Sequence, residues 1–411
     1  MHVLTGKVSS LSISILLLLL GCNTISNETS DNSQNEKEAV RGVWLTNVAS
    51  KALYSRENIK EAVELCDELG FNTIFVVTWN KAHTIYQSEV MKSVTGESIL
   101  PDFKGRDPLK ELIEETKPKG IKVIAWFEFG FAASNSDSTG GILLQKHPEW
   151  SSLDQNGSIT EKNNFQWMNA FHPEVQKLLT DLVLEVVKKY DIDGIQGDDR
   201  LPALPSNGGY DSYTVELYKS EHGGKEPPKY EKDYDWIKWR SRKLNLFLKD
   251  LVKKVNQEKP EIIISMAPSI YPWSEENYLQ DWPTWLDMGL IDLIIPQVYR
   301  YDFDSYKKEM DKILDEQLGD FNKKGFYPGI LLQVNDYNPN EELLDQFIEY
   351  NRSKGIKGEV FFFYEGIKKY KEYFKNKYQD EITFPDIKKD GHQSMGFIKE
   401  NKRPELFTVL H

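Results

Sequence analysis

Residues 193–200 read Asp-Gly-Ile-Gln-Gly-Asp-Asp-Arg, and this stretch is the starting point for deducing the fold. A short run suited to a buried strand ends here in two adjacent acids and an arginine. A helical pattern precedes it at residues 173–190, and another follows at 234–257. A strand between two helices that ends in charge is typical of a parallel βα unit whose strand end faces a solvent-filled cleft.

The same alternation of short apolar runs with helical stretches extends from residue 41 to residue 380. We expect strands at 42–47, 73–79, 122–129, 194–199, 262–267, 293–299, 327–333 and 359–364. Helices are expected at 57–69, 107–119, 173–190, 234–257, 282–288, 303–317, 340–354 and 367–378. Several helices end in a glycine typical of a C-terminal cap: Gly70, Gly120, Gly289 and Gly355. Eight units without a GxGxxG turn predict an α/β fold, a single-domain (β/α)8 TIM barrel, rather than a doubly wound sheet.

The chain begins with a segment that is expected to be a targeting signal. Residues 1–22 contain Lys7, a leucine-rich run to Leu20, and then Gly21-Cys22, which predicts a bacterial lipoprotein signal peptide with Cys22 as the lipidated residue. The apolar run is short for a transmembrane anchor, which is the alternative. The polar residues 23–39 predict a flexible tether, 40–380 the folded domain with extended loops at its C-terminal face, and 381–411 a polar tail. We therefore expect a membrane-anchored protein of the cell envelope that faces the periplasm or the exterior.

Composition excludes several classes of partner and site. The net charge of -13, without a basic patch, argues against nucleic-acid binding. If Cys22 is lipidated, Cys66 is alone, and its position in the apolar phase of a helix predicts a core residue. The seven histidines contain no HxxxH pair, so neither a metal nor a cofactor is expected. We expect a monomer.

In a (β/α)8 barrel the chemistry lies at the C-terminal ends of the strands. A single polar residue at a strand end, such as Glu128 or Glu365, is as well explained by exposure to solvent as by a functional role. Polar or aromatic residues at nearly every strand end instead predict a functional site. They are Trp44, Asn47, Trp79, Asn80, Trp126, Glu128, Gln196, Asp198, Asp199, Arg200, Gln297, Tyr299, Arg300, Gln333, Asn335 and Glu365.

Carboxylates and aromatic rings at one barrel mouth are what glycoside cleavage requires. One acid donates a proton to the leaving oxygen, and an ionised one acts as nucleophile or base. The rings of Trp44, Trp79, Trp126 and Tyr299 are candidates to stack on sugars, although singly each is more often a core residue. Strand alternation directs Gln196 and Asp198 to one face. If Gly197 faces the surrounding helices, Asp198 points into the mouth with Asp199 and Arg200 at the rim, where adjacent acids raise each other's pKa and the arginine lowers it.

These residues resemble the glycosyl hydrolase-like 10 family, over roughly residues 40–370. The resemblance is carried by Arg41–Trp44, Trp126–Phe131, His147–Trp150, Asn169–Val175, Asp193–Asp199, Pro268, Gln280–Trp282, Gln297–Arg300 and Phe361–Glu365. It implies a bacterial (β/α)8 protein, often secreted or lipid-anchored, in a family that includes a hydrolase of peptide-free peptidoglycan strands. It also implies that the strand 4 acid pair, Asp198 and Asp199, lies at the active site. The family usually has His or Tyr after this pair and a bulky residue before it, whereas this chain has Arg200 and Gly197.

A basic residue beside the pair favours ionised aspartates, which shifts the predicted general acid from Asp199 to Glu128. The hypothesis is therefore a glycoside hydrolase in which Asp198 is the nucleophile or base and Glu128 the acid, with Glu365 as its substitute. Arg200 and Arg300 would bind polar or anionic substituents, such as a lactyl carboxylate. Further candidates for substrate binding are Asn169, Gln196, Gln297 and Tyr299.

Two other functions fit parts of the pattern. A surface lipoprotein that binds glycans without cleaving them would have the same composition. A polysaccharide deacetylase also uses an aspartate pair, but it needs a metal held by histidines, and His83, His147 and His172 are dispersed. The long segment 201–233 is expected either to shape the cleft or to be a mobile surface loop. The segment 130–170, with Trp150 and Trp167, is expected to form the opposite wall of the cleft.

Overall fold

The computed structural model describes residues 37–321 and 323–388, and it confirms the (β/α)8 barrel. Its eight parallel strands are β1 (Arg41–Leu45), β2 (Thr73–Val77), β3 (Lys122–Trp126), β4 (Gly194–Gly197), β5 (Ile263–Met266), β6 (Leu293–Ile294), β7 (Gly329–Leu331) and β8 (Glu359–Phe362). They pair in the order β6-β5-β4-β3-β2-β1-β8-β7. Parallel bridges from Ile294 to Phe326 and from Gln297 to Gly329 join β6 to β7 and close the ring.

A helix follows each strand. These helices are α1 (Arg56–Glu68), α2 (Pro108–Thr116), α3 (Pro173–Lys189), α4 (Tyr234–Glu258), α5 (Trp282–Asp287), α6 (Phe303–Lys312), α7 (Glu341–Ser353) and α8 (Lys371–Lys377). The predicted glycine caps are confirmed in conformation, because Gly70, Gly120, Gly289 and Gly355 all have positive φ, between 64° and 80°. Cys66 of α1 is buried in the core, and this burial raises the pKa of its thiol to about 12.

The barrel strands end earlier than the apolar runs predict, which moves the candidate residues into loops. β2 ends at Val77, and Trp79 and Asn80 already belong to a short antiparallel hairpin with His83–Thr84. β3 ends at Trp126, before Glu128. The sequence does not reveal these ends, because the buried aromatic residues Trp79 and Phe127 continue the apolar runs past the strands. The mouth is therefore lined by residues just beyond the strands.

The two long loops are folded substructures. Residues 132–167 contain a three-stranded antiparallel sheet, and the loop after β4 contains the helix Ser212–Glu221. Arg240 of α4 is fully buried and donates hydrogen bonds to the carbonyls of Ser206 and Gly208 at 2.6 and 2.7 Å. Burial lowers the pKa of Arg240 to about 9. This anchoring argues against the second expectation for residues 201–233, a mobile surface loop.

At the opposite, N-terminal face lie an ion pair between the buried Glu359 and the partly exposed Arg352, and the end of the described chain. Glu359 accepts hydrogen bonds from Arg352 at 2.9 and 3.0 Å and from the Tyr378 hydroxyl. The Thr383 carbonyl accepts a hydrogen bond from the Ala39 amide at 3.0 Å, and Lys388 pairs with Asp292 at 2.7 Å. Residues 381–388, predicted as polar tail, therefore pack on the barrel.

No helix within residues 37–321 and 323–388 is long and apolar enough to cross a membrane. The predicted signal peptide with Cys22, most of the predicted tether and residues 389–411 lie outside the described residues.

Candidate active site

The turn after β4 directs Asp198 into the barrel mouth, and Gly197 makes this turn possible. A Cβ at Gly197 would lie 2.3 Å from the Leu201 carbonyl oxygen and 2.9 Å from the Met266 sulfur. Gly197 was expected to face the surrounding helices. It instead packs against Leu201, where the chain folds back after the turn, and against Met266 of β5. Gln196 points inward on the same face as Asp198 and accepts a hydrogen bond from Trp44 Nε1 at 2.7 Å.

Three carboxylates surround the guanidinium of Arg200. Nη2 lies 3.2 Å from Asp198 Oδ2 and 3.6 Å from Glu128 Oε1, and Nη1 lies 3.2 Å from Asp199 Oδ1. The side chain of Arg200 is 14% exposed, so these contacts are only weakly screened by water. The structure therefore brings together four of the residues that the sequence proposed for the site.

Arg200 is held in place by the loop after β3. Its Nε donates to the Glu128 carbonyl oxygen at 2.8 Å, and its guanidinium carbon lies 5.0 Å from the ring centroid of Phe165. Its own carbonyl accepts the Phe131 amide at 3.0 Å. A Cβ on Gly130 would lie 2.0 Å from this carbonyl oxygen, and Gly130 has a φ of +47°. Only glycine fits this close approach of the two loops.

Asp198 accepts hydrogen bonds at both carboxylate oxygens. Trp126 Nε1 donates to Oδ2 at 3.0 Å, and the Arg200 amide donates to Oδ1 at 3.0 Å. Its backbone carbonyl accepts Gln280 Nε2 at 2.7 Å. Asp198 is 3% exposed and is the most deeply buried of the three acids, since the side chains of Glu128 and Asp199 are 15% and 24% exposed.

Burial dominates the electrostatics of two of these acids. It raises the pKa of Asp198 well above 3.8, with Arg200 opposing and Asp199 and Glu128 reinforcing the shift. It also raises the pKa of Glu128, against the effects of Arg200 and of the Asn80 amide, which donates a hydrogen bond to Oε2. The expected lowering by Arg200 is present, but desolvation outweighs it. A raised carboxyl pKa is what a proton donor at neutral pH needs.

Two tyrosines complete the immediate surroundings. Burial raises the pKa of Tyr299 well above 10, and the negative charges of Asp199 and Asp198 add to the shift. Burial also raises the pKa of Tyr278 to about 12, again reinforced by Asp199. Tyr299 was expected at the mouth. Tyr278 is the last residue of the short helix Trp273–Tyr278 between β5 and α5, and it was missed because it does not stand at a strand end.

Two predicted charged residues have partners outside the Arg200 cluster. Glu365 accepts a hydrogen bond from the Ser50 hydroxyl at 2.7 Å and pairs with Lys368 at 2.8 Å. Arg300 pairs with Glu309 of α6 at 2.8 Å and donates to the Tyr299 carbonyl. Neither residue contacts Asp198, Asp199 or Glu128 through a hydrogen bond or ion pair among the described residues.

The three tryptophans proposed as sugar platforms lie inside the protein. Trp44, Trp79 and Trp126 are at most 3% exposed, and their Nε1 atoms donate to Gln196, Gly130 and Asp198. Asn169 is also buried, where its amide donates to Asp211 and Thr214 at the start of the helix Ser212–Glu221. Gln297 donates to the Ala267 carbonyl at 3.0 Å. These hydrogen bonds hold the residues at the strand ends in place. No ring face of the three tryptophans is open to a ligand in this structure.

Two residues that orient the acids have partners that the sequence did not predict. Asn80 contacts Glu128, and Gln280 contacts the backbone of Asp198 and of Pro202. Asn80 follows the predicted strand 73–79, and Gln280 lies in the stretch Gln280–Trp282 that carries the family resemblance, but nothing in the sequence indicated their partners. Among residues 37–321 and 323–388, no group of three or more His, Cys, Asp or Glu side chains could hold a metal ion.

A barrel of this kind with clustered carboxylates at its mouth is an architecture shared by many glycoside hydrolases. The chain belongs to the glycosyl hydrolase-like 10 family, whose model matches residues 39–340. This range ends before Phe361–Glu365, the last stretch on which the resemblance was based.

The chain is 23% identical to the glycosyl hydrolase DigH of Escherichia coli K12 over 348 residues, which cover 72% of this chain and 76% of DigH. It is 24% identical to the glycosyl hydrolase YngK of Bacillus subtilis over 327 residues, covering 69% of this chain and 58% of YngK. Two solved structures share the fold. The PgaB glycoside hydrolase domain from Bordetella bronchiseptica superposes with a TM-score of 0.62 at 13% identity, covering 85% of this chain and 100% of that domain. Alpha-L-fucosidase isoenzyme 2 from Paenibacillus thiaminolyticus superposes with a TM-score of 0.58 at 17% identity. The match covers 82% of this chain and 49% of the fucosidase chain.

Proposed function

We propose that the protein is a glycoside hydrolase that cleaves a polysaccharide of the bacterial cell envelope, with peptidoglycan glycan strands as the substrate. The observation that carries this proposal is the cluster of Asp198, Asp199 and Glu128 around Arg200 at the barrel mouth. Membership of the family, whose relatives are named glycosyl hydrolases, supports it. Hydrolysis of a glycosidic bond needs a protonated and an ionised carboxyl on opposite sides of the bond.

In the proposed mechanism Glu128 is the general acid and Asp198 the nucleophile or base. Burial raises the pKa of Glu128, which favours the protonated form that a general acid needs. Asp198 accepts hydrogen bonds from Trp126 Nε1 and the Arg200 amide and contacts the guanidinium. These contacts favour its ionised form and oppose burial, which raises its pKa. Asp199 is the more exposed acid of the pair, so it is the direct rival of Asp198 for this role.

The proposal includes anchoring in the envelope. The Gly21-Cys22 pair after a leucine-rich run supports lipidation of Cys22, and the polar residues that follow would tether the barrel to the membrane. The protein would act as a monomer. Substitution of Cys22 with serine in the full chain tests this part: the wild type should label with a fatty acid analogue and fractionate with membranes, and the variant should do neither. Equal labelling of both would contradict it.

The activity is tested by mass spectrometry of products after incubation of residues 40–411 with peptide-free and with intact peptidoglycan strands. We expect shortened glycans from the wild type, with loss of at least about 100-fold in rate for Asp198→Asn and Glu128→Gln. Asp199→Asn and Glu365→Gln test the two rival assignments. Glu276→Gln, an exposed acid in the loop after β5, is the matched control and should retain full activity.

The outcomes separate the alternatives. Loss of activity in Asp199→Asn but not in Asp198→Asn would transfer the role to Asp199. If the wild type binds glycan without cleaving it, the result would contradict the proposed hydrolase activity and favour a non-catalytic glycan-binding protein. Release of acetate in place of shorter strands would favour the deacetylase.

A further inference from the structure

Two lysines outside the carboxylate cluster converge on one asparagine. Lys162 Nζ lies 3.0 Å from the carbonyl oxygen of Asn277 and 3.3 Å from its Oδ1. Lys232 Nζ lies 3.2 Å from the same Oδ1. Lys162 belongs to the hairpin of the loop after β3, Lys232 to the loop after β4, and Asn277 to the loop after β5. Three separate loops thus meet at this point of the mouth.

Neither ammonium group has a carboxylate within 4.0 Å among the described residues, although the chain carries 64 acids against 51 Lys and Arg. An ammonium group has three N–H donors, and the Asn277 oxygens occupy two on Lys162 and one on Lys232. Donors therefore remain on both lysines. Like charges held this close repel each other, and an anion between them would relieve the repulsion.

The lysine pair adjoins the carboxylate cluster. In the hairpin Lys162 is the cross-strand partner of Phe165, so both side chains lie on one face. The Phe165 ring in turn lies 5.0 Å from the Arg200 guanidinium. Lys162 Nζ also lies 4.6 Å from the ring centroid of Tyr278, whose pKa responds to the charges of Asp199 and Arg200.

An exposed aromatic ring extends this surface outward. Trp273 is 43% exposed, and its ring centroid lies 5.5 Å from that of Tyr278. A half-exposed tryptophan beside the mouth offers an apolar face of the kind that packs on a sugar ring. The lysine pair and Trp273 together have the features of a carbohydrate subsite for a charged sugar.

We propose that Lys162 and Lys232 bind the carboxylate of a sugar residue in a subsite next to the catalytic carboxylates. The proposal rests on the proposed glycan-hydrolase function and specifies its substrate as an anionic strand, such as one with lactyl carboxylates. Burial and the neighbouring Lys232 lower the pKa of Lys162 to about 8, with Glu231 opposing, and a bound anion would reverse this shift. The two ammonium groups would each donate a charge-assisted hydrogen bond to the carboxylate.

The test measures binding separately from turnover. The Asp198→Asn variant is titrated calorimetrically with two probes, peptide-free glycan oligomers and the same oligomers with their carboxylates reduced to alcohols. We expect tighter binding of the charged probe, and Lys162→Gln in this background should weaken that binding about tenfold. Lys232→Gln should weaken it about two- to fivefold, because Lys232 is exposed. Both substitutions should leave the affinity for the reduced probe unchanged.

Lys225→Gln, an exposed lysine in the same loop as Lys232, is the matched control and should leave both affinities unchanged. Equal weakening of both probes by Lys162→Gln would mean that Lys162 only supports the loops, and would overturn the subsite. Equal affinity of the Asp198→Asn protein for the two probes would overturn it as well. A wild type that cleaves neither probe refutes the proposed hydrolase, whereas the difference in affinity still decides the subsite.

Discussion

Arg200 is expected to set the pH range in which the enzyme works, and substitution with glutamine tests this. Its guanidinium lies 3.2 Å from Asp198 and from Asp199 and 3.6 Å from Glu128, and its charge lowers the pKa of Asp198 and Glu128. Loss of this charge should raise both pKa values further. The acid that acts in its ionised form would then require a higher pH.

The size of the shift follows from these distances. Unit charges about 4 Å apart interact by about 4 kcal/mol at an effective dielectric constant of about 20, and one pKa unit corresponds to about 1.4 kcal/mol. Screening and the sharing of Arg200 among three acids reduce this value, so we expect the acidic limb of kcat/KM against pH to move upward by about one to three units. Activity at low pH should fall most.

The measurement is the pH profile of kcat/KM for the wild type, Arg200→Gln and Arg200→Lys. Lysine keeps the positive charge but lacks the planar guanidinium that donates several hydrogen bonds at once. The acidic limb of Arg200→Lys should therefore stay near that of the wild type while its kcat/KM falls. An acidic limb that does not move in Arg200→Gln would refute the reasoning. Thermal unfolding at each pH is the control for folding. Because the folded pKa values of the acids rise in Arg200→Gln, its stability should fall as the pH rises above about 4.

Three further substitutions, one of them with a matched control, test contacts around the site. Asn80→Ala removes a donor that lowers the pKa of Glu128, so the limb governed by Glu128 should move upward by about one unit, and an unchanged limb would contradict this contact. Gly130→Ala should lower the free energy of unfolding in urea by more than about 3 kcal/mol, because its Cβ would lie 2.0 Å from a carbonyl oxygen. Gly157→Ala, also at positive φ but with no atom within 4 Å of the Cβ, should cost only about 1–2 kcal/mol, and equal losses would contradict the argument. Arg240→Met should destabilise by about 3 kcal/mol and expose residues 201–233 to limited proteolysis, whereas unchanged cleavage would mean that Arg240 does not anchor this loop.

The barrel and the place of its mouth were predictable from the sequence because both depend on local patterns. The alternation of strand and helix periodicities, with capping glycines such as Gly70 and Gly355, defined eight units. In a parallel barrel all C-terminal strand ends meet at one face, so Asp198, Asp199 and Glu128 could be assigned to one site. Strand ends were less accurate, since buried aromatic residues such as Trp79 and Phe127 continue the apolar runs beyond the ends of β2 and β3.

The partners of the site residues were not predictable in the same way. Arg300 and Arg200 both follow a strand, yet Arg300 pairs with Glu309 on a helix, whereas Arg200 contacts three carboxylates. Trp44 and Trp79 have the composition of sugar platforms but are buried. Each outcome depends on which loop folds over which strand end.

The sequence by itself determined the (β/α)8 architecture, the family and the acids at the mouth, because periodicity, capping and strand polarity are properties of neighbouring residues. Only the tertiary structure decided that Arg200 lies among Asp198, Asp199 and Glu128, and that desolvation outweighs its charge in setting the pKa of Asp198 and of Glu128. It also brought together Lys162, Lys232 and Asn277 from three loops. Burial and through-space charge depend on contacts between residues far apart in the chain, and local sequence patterns do not specify them.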